Sequence, residues 1–221
     1  MAALSLTMSA IAAQAANIQI TSLPFTIGAP GTYVITGNLN FTAPTSPFTS
    51  TFFAAILIPT SLSGPVILDL KGFTLTSNGP NVTASVGVGI GGGFVGPFVA
   101  NAFPITVKNG SLNNFQAGIW ASQAEAGPVI PPPLTNIEVS NMSFSTLSQG
   151  IIFFEVNSST VKNCTFNNAG IEDTLSAGGN EYTTLTFKGN GGLSIASDRA
   201  ASGLPNTTIV LDDCRFAPPA N

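Results

Sequence analysis

The chain has 221 residues, of which 44% are apolar and only 7% charged, against roughly 25% charged in ordinary globular domains. Its net charge is −4, with six Lys and Arg and no histidine. That excludes the basic footprint of a nucleic-acid binder, His-based acid–base chemistry, the Ser-His-Asp triad and the commonest zinc sites. Gly (23) and Pro (16) are abundant, and Ser, Thr and Asn stand where charges usually do, a composition suited to an extracellular all-β solenoid.

Residues 1–16 are small and apolar, with an A-x-A site at Ala13-Gln14-Ala15. They are expected to be a secretory signal, although no basic residue precedes the apolar stretch; the alternative is an unstructured tail or frayed helix. The mature domain is then 17–221, secreted or held at the cell surface. The stretch is too short to span a bilayer, and every later apolar run is broken by Gly, Pro, Asn or Thr, so no membrane span is expected. Residues Ile18 to Phe41, including Gly31-Thr32-Tyr33-Val34-Ile35, are expected to form the first rung and cap.

From residue 70 onward one short pattern recurs: an apolar residue, a variable one, Gly/Asn/Asp, two more, then Leu or Phe. It reads Leu70-Lys71-Gly72-Phe73-Thr74-Leu75, Val107-Lys108-Asn109-Gly110-Ser111-Leu112, Val139-Ser140-Asn141-Met142-Ser143-Phe144, Val161-Lys162-Asn163-Cys164-Thr165-Phe166 and Leu211-Asp212-Asp213-Cys214-Arg215-Phe216. A degenerate sixth copy starts at Phe187-Lys188-Gly189. First positions lie 37, 32, 22, 26 and 24 residues apart, one solenoid coil or one coil with an insertion. The pairs Leu68/Leu70, Ile105/Val107, Ile137/Val139 and Ile209/Leu211 alternate with period two, so they point inward from a strand. The third position holds residues that tolerate a left-handed backbone, which bends the chain onto a second strand. A second signal, Gly118-Ile119, Gly150-Ile151 and Gly170-Ile171, marks another strand start in successive coils. Single coils cannot bury their apolar faces alone, whereas stacked copies can. An antiparallel sandwich is the competing fold, but it predicts hairpins at shorter spacing.

On these V-x-N-x-x-F copies, the G-I strand starts and the stacked Asn109, Asn141 and Asn163, the chain resembles the pectate-lyase-like superfamily of right-handed parallel β-helices over about residues 17–217. The resemblance implies an all-β, single-stranded right-handed parallel β-helix of about six to seven coils and an asparagine ladder. It implies little about activity, since that superfamily spans lyases, hydrolases, esterases, epimerases, phage tailspikes and adhesins.

Two insertions, 78–103 with Gly91-Gly92-Gly93 and 121–135 with Pro131-Pro132-Pro133, are candidate site-building loops. The glycine run lacks the Lys and helix of a phosphate-binding loop. Asp212-Asp213-Cys214 resembles the Asp-Asp-Cys element of polygalacturonases, but the companion Gly-His-Gly and Arg-Ile-Lys motifs are missing. The triplet also falls on the repeat, so Asp213 is read as a turn residue and Cys214 as inward packing.

The outward column next to the core strand is expected to hold Lys71, Lys108, Ser140, Lys162, Lys188 and Asp212, beside a column of Asp69, Thr106, Glu138, Thr160 and Thr186. Such a Lys strip suits an acidic polysaccharide, or is a solvated row of gatekeeper charges. Lys71, Lys108, Lys162 and Lys188, with Trp120 as a sugar-stacking residue or half-buried packing, are the candidate substrate-binding residues. Lys108, Lys162, Asp69 and Glu138 are the candidate catalytic residues of a polysaccharide lyase or hydrolase. Asp69, Glu138 and Glu155 are too dispersed for a calcium site, so no metal and no cofactor is expected. Cys164 and Cys214 are expected to be two buried free thiols, because two coil steps of about 4.8 Å exceed the roughly 7 Å reach of a disulfide. The function expected is a non-catalytic β-helix that contacts polysaccharide or serves as a structural module. The alternatives are the enzyme on acidic glycans such as pectin or alginate, and an ice-binding surface built on Thr74, Ser111, Ser143 and Thr165. A capping partner or self-association is expected at the final rung, Leu211–Phe216.

Overall fold

The structure, a computed structural model, describes residues 16–44, 52–78, 82–91, 101, 103–122, 133–174, 179–196 and 210–217. The signal-like segment 1–15, Gly92-Gly93 and Pro131-Pro132 lie outside these residues. Every strand pairing among the described residues is parallel. The antiparallel sandwich is thereby ruled out, and the architecture is that of a parallel β-solenoid.

Among the described residues three long stacks of strands, with a two-strand stack of Leu134–Thr135 and Val156–Asn157, enclose one continuous apolar interior. The first face contains Ile18–Ile20, Gly31–Ile35, Val66–Asp69, the leading halves of Ile105–Asn113 and Ile137–Ser145, then Thr160–Lys162, Glu181–Thr183 and Val210–Asp212. The second contains Leu39–Thr42, Thr74–Asn78, the trailing halves of those two long strands, Thr165–Asn167, Thr186–Lys188 and Arg215–Ala217. The third runs through Phe25–Thr26, Phe53–Ile58, Ser85–Ile90, Ala117–Ser122, Gln149–Phe154, Gly170–Thr174 and Leu193–Ala196.

The bend between the first two faces falls where the repeat predicts it. Asn109, Asn141, Asn163 and Asp213 have φ of 59°, 54°, 53° and 46°, the left-handed region where Asn and Asp are least penalised. Their side chains brace the bend: Asn141 Nδ2 donates to Asn109 Oδ1 at 3.1 Å, and Asn109 Nδ2 to Asp69 Oδ1 at 3.1 Å. Beyond the bend the inward column is Leu39, Leu75, Leu112, Phe144, Phe166, Phe187 and Phe216. The four rings stack at 4.9, 4.9 and 5.0 Å between centroids, the offset spacing at which aromatic pairs attract. The G-I signal has the same origin. A Cβ on Gly118 would lie 2.6 Å from Phe144 Cδ1, and one on Gly150 2.6 Å from Phe166 Cδ1. Only glycine admits the rings there, and Ile119, Ile151 and Ile171 follow in register.

Two repeat alignments are corrected. Val107, Val139 and Val161 are in register, and Tyr182 links Val161 to Leu211. Their partner in the earlier strand, however, is Leu68 and not Leu70. A wider turn, Leu70–Phe73, lies between Asp69 and Thr74, which pair with Lys108 and Ser111. Likewise the copy after Val161 is Tyr182-Thr183-Thr184-Leu185-Thr186-Phe187, with Thr184 at the bend (φ 53°) and Phe187 opposite Phe166. Cys164 and Cys214 are free, as expected, with the rung that carries Leu185 between them. Cys164 is buried, which pushes its thiol up to about 12; Cys214, expected to be buried as well, is only half-buried, because it lies on the last described rung.

Candidate functional site

On the outside of the first face two columns emerge from the corrected register. One runs Ile67, Thr106, Glu138, Thr160 and Glu181; the other runs Asp69, Lys108, Ser140, Lys162, Thr183 and Asp212. Asp69 therefore stands in the column of the lysines and not beside it. Lys71 and Lys188 leave the strip altogether: Lys71 is a bend residue with φ of 53°, and Lys188 sits on the second face opposite Asn167. Thr186 also belongs to the second face, opposite Thr165. The expected strip of four lysines reduces to Lys108 and Lys162, with Ser140 between them.

The remaining candidates share one face, but of them only Lys162 and Glu138 pair with each other. Lys162 Nζ lies 3.1 Å from Glu138 Oε1, and Ser140 Oγ donates to the same oxygen at 3.0 Å. Asp69, its side chain only 8% exposed, meets Lys71 Nζ at 3.3 Å and accepts from Lys71 N and Asn109 Nδ2. Burial alone would raise its carboxyl, but these hydrogen bonds and the Lys71 charge outweigh it and hold the group below its usual range. A carboxyl so engaged is a poor general acid. The Ile105–Asn113 strand also separates Asp69 from Glu138, so the two do not form the facing carboxylate pair that glycoside hydrolysis requires.

Elsewhere, Asp213 pairs with Arg215 at 3.3 Å, and Cys214 packs against the apolar interior, matching the turn-and-packing reading of that triplet. Among the described residues no group of three or more His, Cys, Asp or Glu is placed to hold a metal. No helix among them is long and apolar enough to cross a membrane. Trp120 is half-buried on the outer side of the third face, edge-on to Phe52 with centroids 4.6 Å apart.

Two further features stand out, the first of them not anticipated and the second only in part. Inside the solenoid, Asp173 Oδ2 accepts from Tyr182 Oη at 2.7 Å and from Asn180 Nδ2 at 3.0 Å, and Asn180 Oδ1 accepts from Ser159 N at 3.0 Å. Burial and the Asp173 charge push the Tyr182 hydroxyl upward, so it remains a donor. The inward position of Asp173 was readable, because it alternates with Ile171 in Ile171-Glu172-Asp173.

The second feature is the outer side of the second face. Thr74, Ser111, Ser143, Thr165 and Thr186 succeed one another in register, so the expected Thr/Ser column exists and gains a member. Beside it runs a column that sequence reasoning missed: Thr76, Asn113, Ser145 and Asn167, with Asn167 Nδ2 donating to Ser145 Oγ at 3.2 Å. Its signal was the uncharged polar residue directly after the Leu or Phe in four of the repeat copies, from Leu75 to Phe166. No family model matches the chain, and no characterised protein or solved structure matches it either.

Proposed function

We propose that this protein is a secreted or surface-held right-handed parallel β-helix of about six to seven coils, akin to the pectate-lyase-like superfamily, that contacts polysaccharide without turning it over. The observation that carries this reading is the pair of uncharged hydroxyl and amide columns on the second face, held in register by the stacked strands beneath. Surfaces of fixed, neutral donors and acceptors match sugar hydroxyls. The engagement of three of the candidate catalytic groups, Lys162 with Glu138 and Asp69 with Lys71, supports a non-catalytic role. The same scaffold could serve a structural role, for which the 64% exposed ring of Phe216 at the last described rung offers a place for a further rung or partner.

One observation favours a second reading. Asp69, Lys108, Glu138 and Lys162 share the first face, which would suit a lyase or hydrolase acting on pectin or alginate. A glycan-array screen followed by an activity assay on every hit separates the two. Binding without new unsaturated or reducing ends is the expected outcome. Turnover that disappears in Lys162→Ala would establish the enzyme instead.

A further inference from the structure

Resting on that reading, we infer that the second face is the contact surface and that its ligand is an extended, neutral, β-linked glycan lying along the solenoid axis. In each repeat the residue before the inward Leu or Phe and the residue after it must point out. At those two positions the chain places Thr74 and Thr76, Ser111 and Asn113, Ser143 and Ser145, Thr165 and Asn167. All eight are half-buried, with polar tips on a sheet whose pairing is unbroken across Thr74–Thr76 and Gly110–Asn113.

Charge decides between ligand classes. Over these four rungs neither column carries a charged side chain; cations enter only at Lys188 and Arg215, toward the C-terminal end. A polyuronate would find no counter-charge here and would be drawn to Lys108 on the first face. An apolar partner would have to desolvate hydroxyls and amides without replacing their hydrogen bonds. A neutral glycan supplies a donor and an acceptor at every hydroxyl. Spacing narrows the choice further: rungs recur about every 4.8 Å, close to the advance per sugar in an extended β-linked chain, so each sugar comes opposite one uncharged polar pair. The side chains are short, and Asn167 is already bonded to Ser145 one rung below, so little freedom is lost on binding. At the neighbouring corner an open depression lined by Ser148, Gln149, Asn168, Asn190 and Ser194 continues the neutral polar surface.

The test uses the full chain in depletion assays against cellulose, chitin and xylan, with polygalacturonate and alginate in parallel. Two face variants are compared, Asn113→Ala/Asn167→Ala and Thr165→Tyr, each checked by circular dichroism and melting temperature. The expected result is retention on a neutral polymer, insensitive to salt and to Lys108→Ala, and weakened about tenfold or more in the double variant. Retention on acidic polymers alone, lost in Lys108→Ala, would overturn the neutral-face inference and leave the polysaccharide reading standing. Neutral binding that survives both folded face variants would overturn it as well, by placing the ligand on another face. Thermal hysteresis without glycan retention would assign the face to ice. No retention on any polymer would sink this inference and the reading beneath it together.

Discussion

Thr184 has φ of 53° at a bend where three other coils place Asn. A β-branched side chain in the left-handed region crowds the following carbonyl, a cost of about 1–2 kcal/mol that Asn largely escapes. Thr184→Asn is therefore expected to stabilise the protein by about 1 kcal/mol, read as a higher urea midpoint at unchanged slope; a lower midpoint would mean that the Thr184 side chain makes a contact worth more than the strain. The same residue explains a misreading. With Thr at the bend and Tyr182 at the aliphatic position, the copy Tyr182–Phe187 does not resemble its neighbours, while Phe187-Lys188-Gly189 imitates the start of one. Gly189 does have a positive φ, 71°, but it serves the next corner, opposite Asn168.

The stacked strands of the second face place their stability in the ring column. Phe166 is fully buried between Phe144 and Phe187, whereas Phe216 has one ring neighbour and is 64% exposed. Phe166→Ala removes a ring from the middle of the stack and is expected to cost about 3–5 kcal/mol. Phe216→Ala should cost under about 1 kcal/mol, since most of its area remains in water. Equal losses in chemical denaturation would show that the last rung is covered in solution. The inward columns were legible because period-two alternation separates the two sides of a strand. Register along the strand was not: a slip of two residues keeps the same side chains inward, so Leu68 and Leu70, both buried, were interchangeable until the wider Leu70–Phe73 turn was seen. That slip moved Asp69 between columns and put Lys71 into the supposed strip, while the copy begun at Phe187 instead of Tyr182 put Lys188 there. The outer columns of a solenoid inherit every register error of the inner ones, which is why the candidate site was less legible than the fold.

At the scale of the whole molecule each rung contacts only its neighbours, so stability is a sum of rung terms and rung–rung interfaces. Interior rungs have two such interfaces. The long strands Ile105–Asn113 and Ile137–Ser145 pair along both of their halves, with eight paired residues between them, and sit at the middle of the stack. The described ends are thinner: Ile18–Ile20 pairs only with Gly31–Ile35, and Arg215–Ala217 only with Thr186–Lys188. Hydrogen exchange should consequently be slowest across 105–112, 137–144 and 160–167, and accelerate toward 18–20 and 215–217, because a rung can open from an end without disturbing the rest. The buried Asp173, Asn180 and Tyr182 cluster joins the third face to the first on the C-terminal side of these segments, so Asp173→Ala should extend fast exchange inward from the C-terminal side as far as residue 171. Uniform protection from end to end would mean that the solenoid opens as a single cooperative unit and that the rung-by-rung account of its stability is wrong.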